Sequence, residues 1–170
     1  MSGQDNGARR WAEAAKAAVV ELASVSLGLS EAAVLGSEAG LPENMTGALV
    51  PLVGPQESLD VGLFADAEGC GRLSASMLGM EPEDQDMVVD AMCELSNVLA
   101  GLVKRKLLEG PDNFEIGLPV YIRGALAVAE GVESATMHVK LGTVDAKVVL
   151  FRHVKQAASE GSYAAASGAR

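Results

Sequence analysis

Four residues stand out for their types and spacing: Asp90, Glu94, Asn97 and Gly101. If the segment is helical, steps of four, three and four residues stack them along one line. Val88, Met92, Leu95, Leu99 and Leu102 then form an apolar stripe on the opposite side. Two carboxylates and an amide would project together, away from a core. An outward Glu can pair with a partner's Lys. An Asn amide donates and accepts hydrogen bonds at once, so it can orient a water for in-line attack on phosphorus. Some GTPases use a glutamine amide in this way. Gly101 removes side-chain bulk where another surface could come close. The spacing alone is more often an ordinary solvated helix face.

Nothing else in the sequence competes for chemistry. No Ser/His/Asp or Cys/His constellation is visible. His138 and His153 stand singly in strand-like runs, without acidic or Cys neighbours at ligand spacing, so no metal site is expected. Cys70 and Cys93 form neither a CxxC nor a zinc pattern and read as two free, buried thiols of a reducing compartment. Gly69-Cys70-Gly71 lacks the rest of a phosphate loop and reads as a turn opening a short helix. The formal net charge of -10 argues against nucleic acid or an anionic membrane as partner, and leaves a protein with a basic or metal-loaded surface. No signal peptide and no membrane-spanning apolar run is seen. The chain is expected to be soluble and cytoplasmic.

The elements that must position the four residues follow from pattern. The 170 residues suit one domain, and 49% hydrophobic residues can supply its core. Residues 1–8 read as a disordered lead-in, 9–155 as the domain and 156–170, rich in Ala, Ser and Gly, as a disordered tail. A helix is expected from about Arg9 to Leu27, with Trp11, Ala15, Ala18, Val19, Leu22, Val25 and Leu29 on one stripe. Gly36, Gly40 and Pro42 mark the next stretch as loop. Strands are expected at Thr46 to Val53 and Leu59 to Phe64, then a short helix from Gly71 to Leu78 ended by Gly79. The motif helix is expected from Pro82 to Glu109, with acidic residues at its start and Lys104, Arg105 and Lys106 at its end. Further strands are expected at Glu115 to Ile122, Ala135 to Leu141 and Val144 to His153, the last two joined by a tight Gly142-Thr143 turn.

The two long helices share a phrase. Glu21-Leu22-x-x-Val25-x-x-Gly28 matches Glu94-Leu95-x-x-Val98-x-x-Gly101, and strand pairs follow each. This points to two pseudo-symmetric halves. The first copy has Ser24 where the second has Asn97, and Ala17 where the second has Asp90.

Asp90-x3-Glu94-x2-Asn97, followed by Gly101, resembles the signature of the CheC/CheX/FliY chemotaxis phosphatases. The Gly117-Leu118-Pro119-Val120 turn and Gly124 resemble the family's segment after the motif helix. The resemblance spans about Arg9 to Lys155. It implies an α+β, CheC-like fold: two long helices on a largely antiparallel sheet, in pseudo-two-fold halves. It implies a phosphatase acting on the aspartyl phosphate of a CheY-like response regulator in two-component signalling. Asn97 would orient the attacking water, Glu94 would engage the regulator's active-site Lys, and Asp90 and Gly101 would support them. The chain would bind no cofactor, since Mg2+ would be held by the regulator. Glu21 and Ser24 form a degenerate first motif, so the single good motif is most like CheX. That implies a homodimer without the added switch-protein domain of FliY. The alternative is a receiver-binding module or scaffold that does not hydrolyse.

Overall fold

The computed structural model describes residues 3–38, 41, 44–107 and 113–155. Helix α1 spans Gly3–Val25, and strands β1, β2 and β3 span Ala32–Glu38, Met45–Val53 and Glu57–Ala65. Helices α2 (Ala67–Leu78) and α3 (Gln85–Leu107) follow. Strands β4 (Glu115–Ile116), β5 (Val120–Gly124), β6 (Val132–Leu141) and β7 (Val144–Val154) complete the order.

Among the described residues the strands form one antiparallel sheet in the order β1-β6-β7-β3-β2. Both β4 and β5 lie along the outer edge of β2. Reading this order backwards exchanges β1 with β5, β2 with β6 and β3 with β7. The expected pseudo-two-fold is therefore present, its axis between β3 and β7. Equivalent pairs occupy equivalent places: Val50 faces Val61 in one hairpin and Met137 faces Val148 in the other. The helices α1 and α3 pack on each other, and α3 lies on β2 and β3. Strand residues alternate between faces. One parity (Val50, Leu52, Val61, Leu63, Val139, Val148) joins the helices in the main core, while Phe64, Val149 and Phe151 build a smaller cluster.

Several boundaries differ from the sequence reading. Residues 3–8 are the first turns of α1 rather than a lead-in. In the α1 stripe Val25 is exposed, because the helix ends there. Leu27 is buried just beyond, and Gly28 adopts φ +62° as the chain turns away. The stretch read as loop around Gly36 contains β1, paired with β6. A register shift between Val34 and Gly36 breaks the two-residue alternation that marks a strand. Asp66 caps α2, its carboxylate accepting the Gly69 N–H, so Gly69-Cys70-Gly71 lies within that helix, and Gly79 ends it at φ +70°. The start of α3 is Gln85, not Pro82: the Asp84 carboxylate accepts the Met87 N–H at 2.9 Å, as an N-cap does. The run Glu115 to Ile122 is two strands, because Pro119 has no N–H to pair. The tail 156–170 and the expected end of the motif helix at 108–109 lie outside the described residues.

One buried charge ties the first helix to the sheet. Arg152 on β7 donates to Glu57 on β3 at 2.8 Å and to Glu133 on β6 at 3.2 Å, and its guanidinium lies 4.2 Å from the Trp11 ring centre on α1. Arg152, Glu57 and Trp11 are all buried. Removing one member of such a pair strands the other charge away from water. Arg152→Ala is expected to destabilise the chain by about 3–5 kcal/mol in urea or thermal unfolding. A loss below about 1 kcal/mol would show that the network holds nothing together.

Candidate functional site

The site is one face of α3, and the opposite face sets it. Met92, Leu95, Leu99, Leu102 and Val103 are buried, and Val88 is half-buried. Ser96, also buried, donates its hydroxyl to the Ala48 carbonyl on β2 at 3.0 Å. This polar tie and the apolar stripe fix the helix's rotation about its axis. As a result Asp90 and Glu94 are exposed, while Asn97 and Gly101 are half-buried on the same line. The structure thus brings all four sequence-derived residues onto one outward face. Among the described residues Glu94 and Asn97 form no ion pair or side-chain hydrogen bond, so both are free to meet a partner.

Gly101 is not required by the fold. A Cβ there would meet only the Ile116 Cδ1 atom, at 3.9 Å, an ordinary contact. Its backbone is helical. Ile116, on β4, is therefore the intramolecular neighbour of this end of the face. Sequence reasoning missed it, because β4 is two residues long and reaches the helix only through pairing with Leu52 and Val53.

The first copy of the motif is put to a different use. Glu21 is ion-paired with Lys106 at 2.7 Å and with Arg105, which joins the last turns of α1 and α3. Hydrogen bonds from Lys106 and then Arg105 hold its carboxyl below the usual range. The Ser24 hydroxyl donates to the Glu21 carbonyl at 3.1 Å, back onto its own helix. Neither side chain is presented as its counterpart on α3 is.

Among the described residues no group of three or more His, Cys, Asp or Glu is placed to hold a metal. A pocket of about 360 Å3 lined by Phe64, Asp66, His138, Asp145 and Lys147 includes none of the motif residues. The cysteines differ from the expectation of two buried thiols. Cys70 is buried, 3.3 Å from the Thr46 carbonyl, and burial pushes its thiol up to about 11. Cys93 is only half-buried, and its thiol is raised by burial and then by nearby Asp90. No helix among the described residues is long and apolar enough to cross a membrane.

Three helices on one antiparallel sheet with an internal two-fold, and an acidic-amide face on α3, are the arrangement of a CheC-like protein. The family model described as chemotaxis phosphatase CheX matches residues 46–141, more than half of the sequence, and the chain belongs to that family. Among solved structures, a chain of the CheX–CheY–BeF3–Mg2+ complex from Borrelia burgdorferi is similar at TM-score 0.71 and 16% identity, covering 86% of this chain and 98% of that one. A CheC-like superfamily protein from Shewanella sp. PV-4 is similar at 0.65 and 17%, covering 85% and 97%. The chemotaxis protein CheX of Vibrio vulnificus is similar at 0.64 and 19%, covering 84% and 99%. At these identities the likeness is one of fold. No curated protein matches the chain.

Two outcomes follow from the site's local chemistry. A glycine inside a helix is worth about 0.5–1 kcal/mol less than alanine, so Gly101→Ala is expected to stabilise the chain by about that amount in chemical denaturation. A measured destabilisation would mean that the helix needs the glycine. Because the thiolate is the reactive form, iodoacetamide at pH 8 on the folded chain is expected to modify Cys93 well before Cys70, by peptide mass mapping. Equal labelling of both would contradict the burial of Cys70.

Proposed function

We propose that this chain hydrolyses the aspartyl phosphate of a phosphorylated CheY-like receiver. The observation that carries this reading is the unengaged Glu94 and Asn97 pair, held outward on α3 by the buried face behind it. Membership of the chemotaxis phosphatase CheX family supports it. The Borrelia relative's complex with CheY, BeF3 and Mg2+ supports a partner that brings its own metal.

On this reading the labour is divided between two proteins. The receiver supplies the phosphoryl group, the Mg2+ and a lysine. Glu94 pairs with that lysine and sets the docking register. Asn97 enters beside the phosphate, and its amide accepts a hydrogen bond from a water through Oδ1 while donating through Nδ2. The water is held in line with the bond to the aspartyl oxygen. Its oxygen bonds to phosphorus as that bond breaks. The receiver's carboxylate and inorganic phosphate separate, the phosphate keeping the water's protons. Positioning supplies most of such a rate gain, because phosphoryl transfer asks little covalent chemistry of the protein. Asp90, at the exposed end of the line, contributes negative charge to the docking face.

The test is phosphate release from a phosphorylated CheY-like receiver with Mg2+. Wild type is expected to speed release well above the receiver's own decay. Asn97→Ala is expected to remove at least ~100-fold of that gain, the scale seen when a positioned polar group is deleted from a reaction site. A mutant as fast as wild type would remove the water-orienting role. Retained binding of the phosphorylated receiver without any wild-type acceleration would make the chain a docking module instead.

A further inference from the structure

The α3 face is bordered on one side by the edge of the sheet, and that border is apolar. Ile116 is 40% exposed, and Leu118, at 85%, is the most exposed large hydrophobic side chain among the described residues. Ile116 is paired with Leu52, and Val120 with Leu49. The Ser96 tie sets α3 on Ala48 of the same strand, and Ile116 lies against Gly101. The segment 116–120 therefore runs along the stretch of β2 that α3 covers between Ser96 and Gly101. It flanks the line that carries Asn97.

This border is held in place. The Gly117 N–H donates to the Pro51 carbonyl at 2.8 Å, and a Cβ at Gly117 would strike Pro51 Cγ at 2.5 Å. The backbone between Ile116 and Leu118 is thus pinned onto β2, and Leu118 is held outward. A leucine on a fixed backbone costs little chain ordering on docking, and an exposed apolar patch bordered by polar residues marks an interaction surface. Gly101 adds an independent sign. The fold has room for a side chain there and the helix would gain from one. A glycine at this place leaves the helix backbone open to something outside the chain.

We propose that Gly101, Ile116 and Leu118 form an apolar docking rim for the phosphorylated receiver. The receiver would lay a backbone segment next to its phosphate across Gly101 and an apolar side chain against Ile116 and Leu118. This rests on the phosphatase reading above. The receiver is the occupant the geometry favours, because the rim is continuous with Asn97 and shares one side with it. A second copy of this chain, pairing along β5, is the competing occupant.

The test measures KM and kcat for dephosphorylation of a phosphorylated CheY-like receiver by wild type, Gly101→Ala and Leu118→Asp. Light scattering gives the solution mass of each. The rim predicts that Leu118→Asp raises KM about tenfold or more, as loss of a buried anchor does. Gly101→Ala is expected to raise KM several-fold while melting at a higher temperature than wild type. In both the loss should sit mainly in KM, and the mass should be that of wild type. A better-folded variant that binds worse cannot be explained by damage. KM within twofold of wild type in both variants would overturn the rim and leave the phosphatase reading standing. A change of mass with Leu118→Asp would overturn it in favour of a second copy. Wild type that fails to speed release would sink the phosphatase reading, and the rim with it.

Discussion

The structure depends on how α3 is seated. Its buried residues enter the core, and Ser96 reaches through that contact to the Ala48 carbonyl on β2. A helix held this way has one rotation about its axis. Any other would bury a carboxylate or expose the apolar stripe, and either costs more than one interaction returns. The outward line from Asp90 to Gly101 is the consequence. The pocket beside Phe64 and His138 includes none of its residues. On the proposed reading its chemistry lies in what it offers to a second surface.

The internal two-fold clarifies what that line is for. The two halves share strand order and hairpin register, so the same scaffold presents two equivalent helices. The two faces are used differently. On α1 the glutamate is tied down by Lys106 and Arg105, and the serine bonds its own backbone. The first motif is part of the joint between the helices. On α3 the corresponding carboxylate and amide remain outward. The symmetric fold thus has one committed face and one open face. The Arg152 network works on the other end of the same problem, fastening α1 to β3, β6 and β7.

Much of this was legible in the sequence, and the exceptions have physical reasons. The motif helix announces itself through the three- and four-residue spacing of its apolar stripe, its acidic start and its basic end. The β2–β3 and β6–β7 hairpins announce themselves through alternation and turn residues. Strand β1 did not, because its bulge between Val34 and Gly36 removes the alternation that marks a strand. The start of α1 did not, because its first residues are polar and carry no stripe. The break between β4 and β5 turns on Pro119 and on a hydrogen bond to Pro51 far away in the chain. Partners distant in sequence are what single-sequence reading cannot see: Arg152 with Glu57 and Trp11, Glu21 with Arg105 and Lys106, and Gly101 with Ile116. The spacing placed Asp90, Glu94, Asn97 and Gly101 on one face, as the structure has them, but it did not reveal the apolar border beside them.

The most direct test of the central claim follows the oxygen of the attacking water. A phosphorylated CheY-like receiver would be turned over by the wild-type chain in oxygen-18-labelled water, with the rate and the fate of the label both read by mass spectrometry. The account predicts release well above the receiver's own decay, with the label in inorganic phosphate and none in the receiver's aspartate. Release no faster than that decay, or label in the aspartate, would contradict a face built to orient water toward phosphorus.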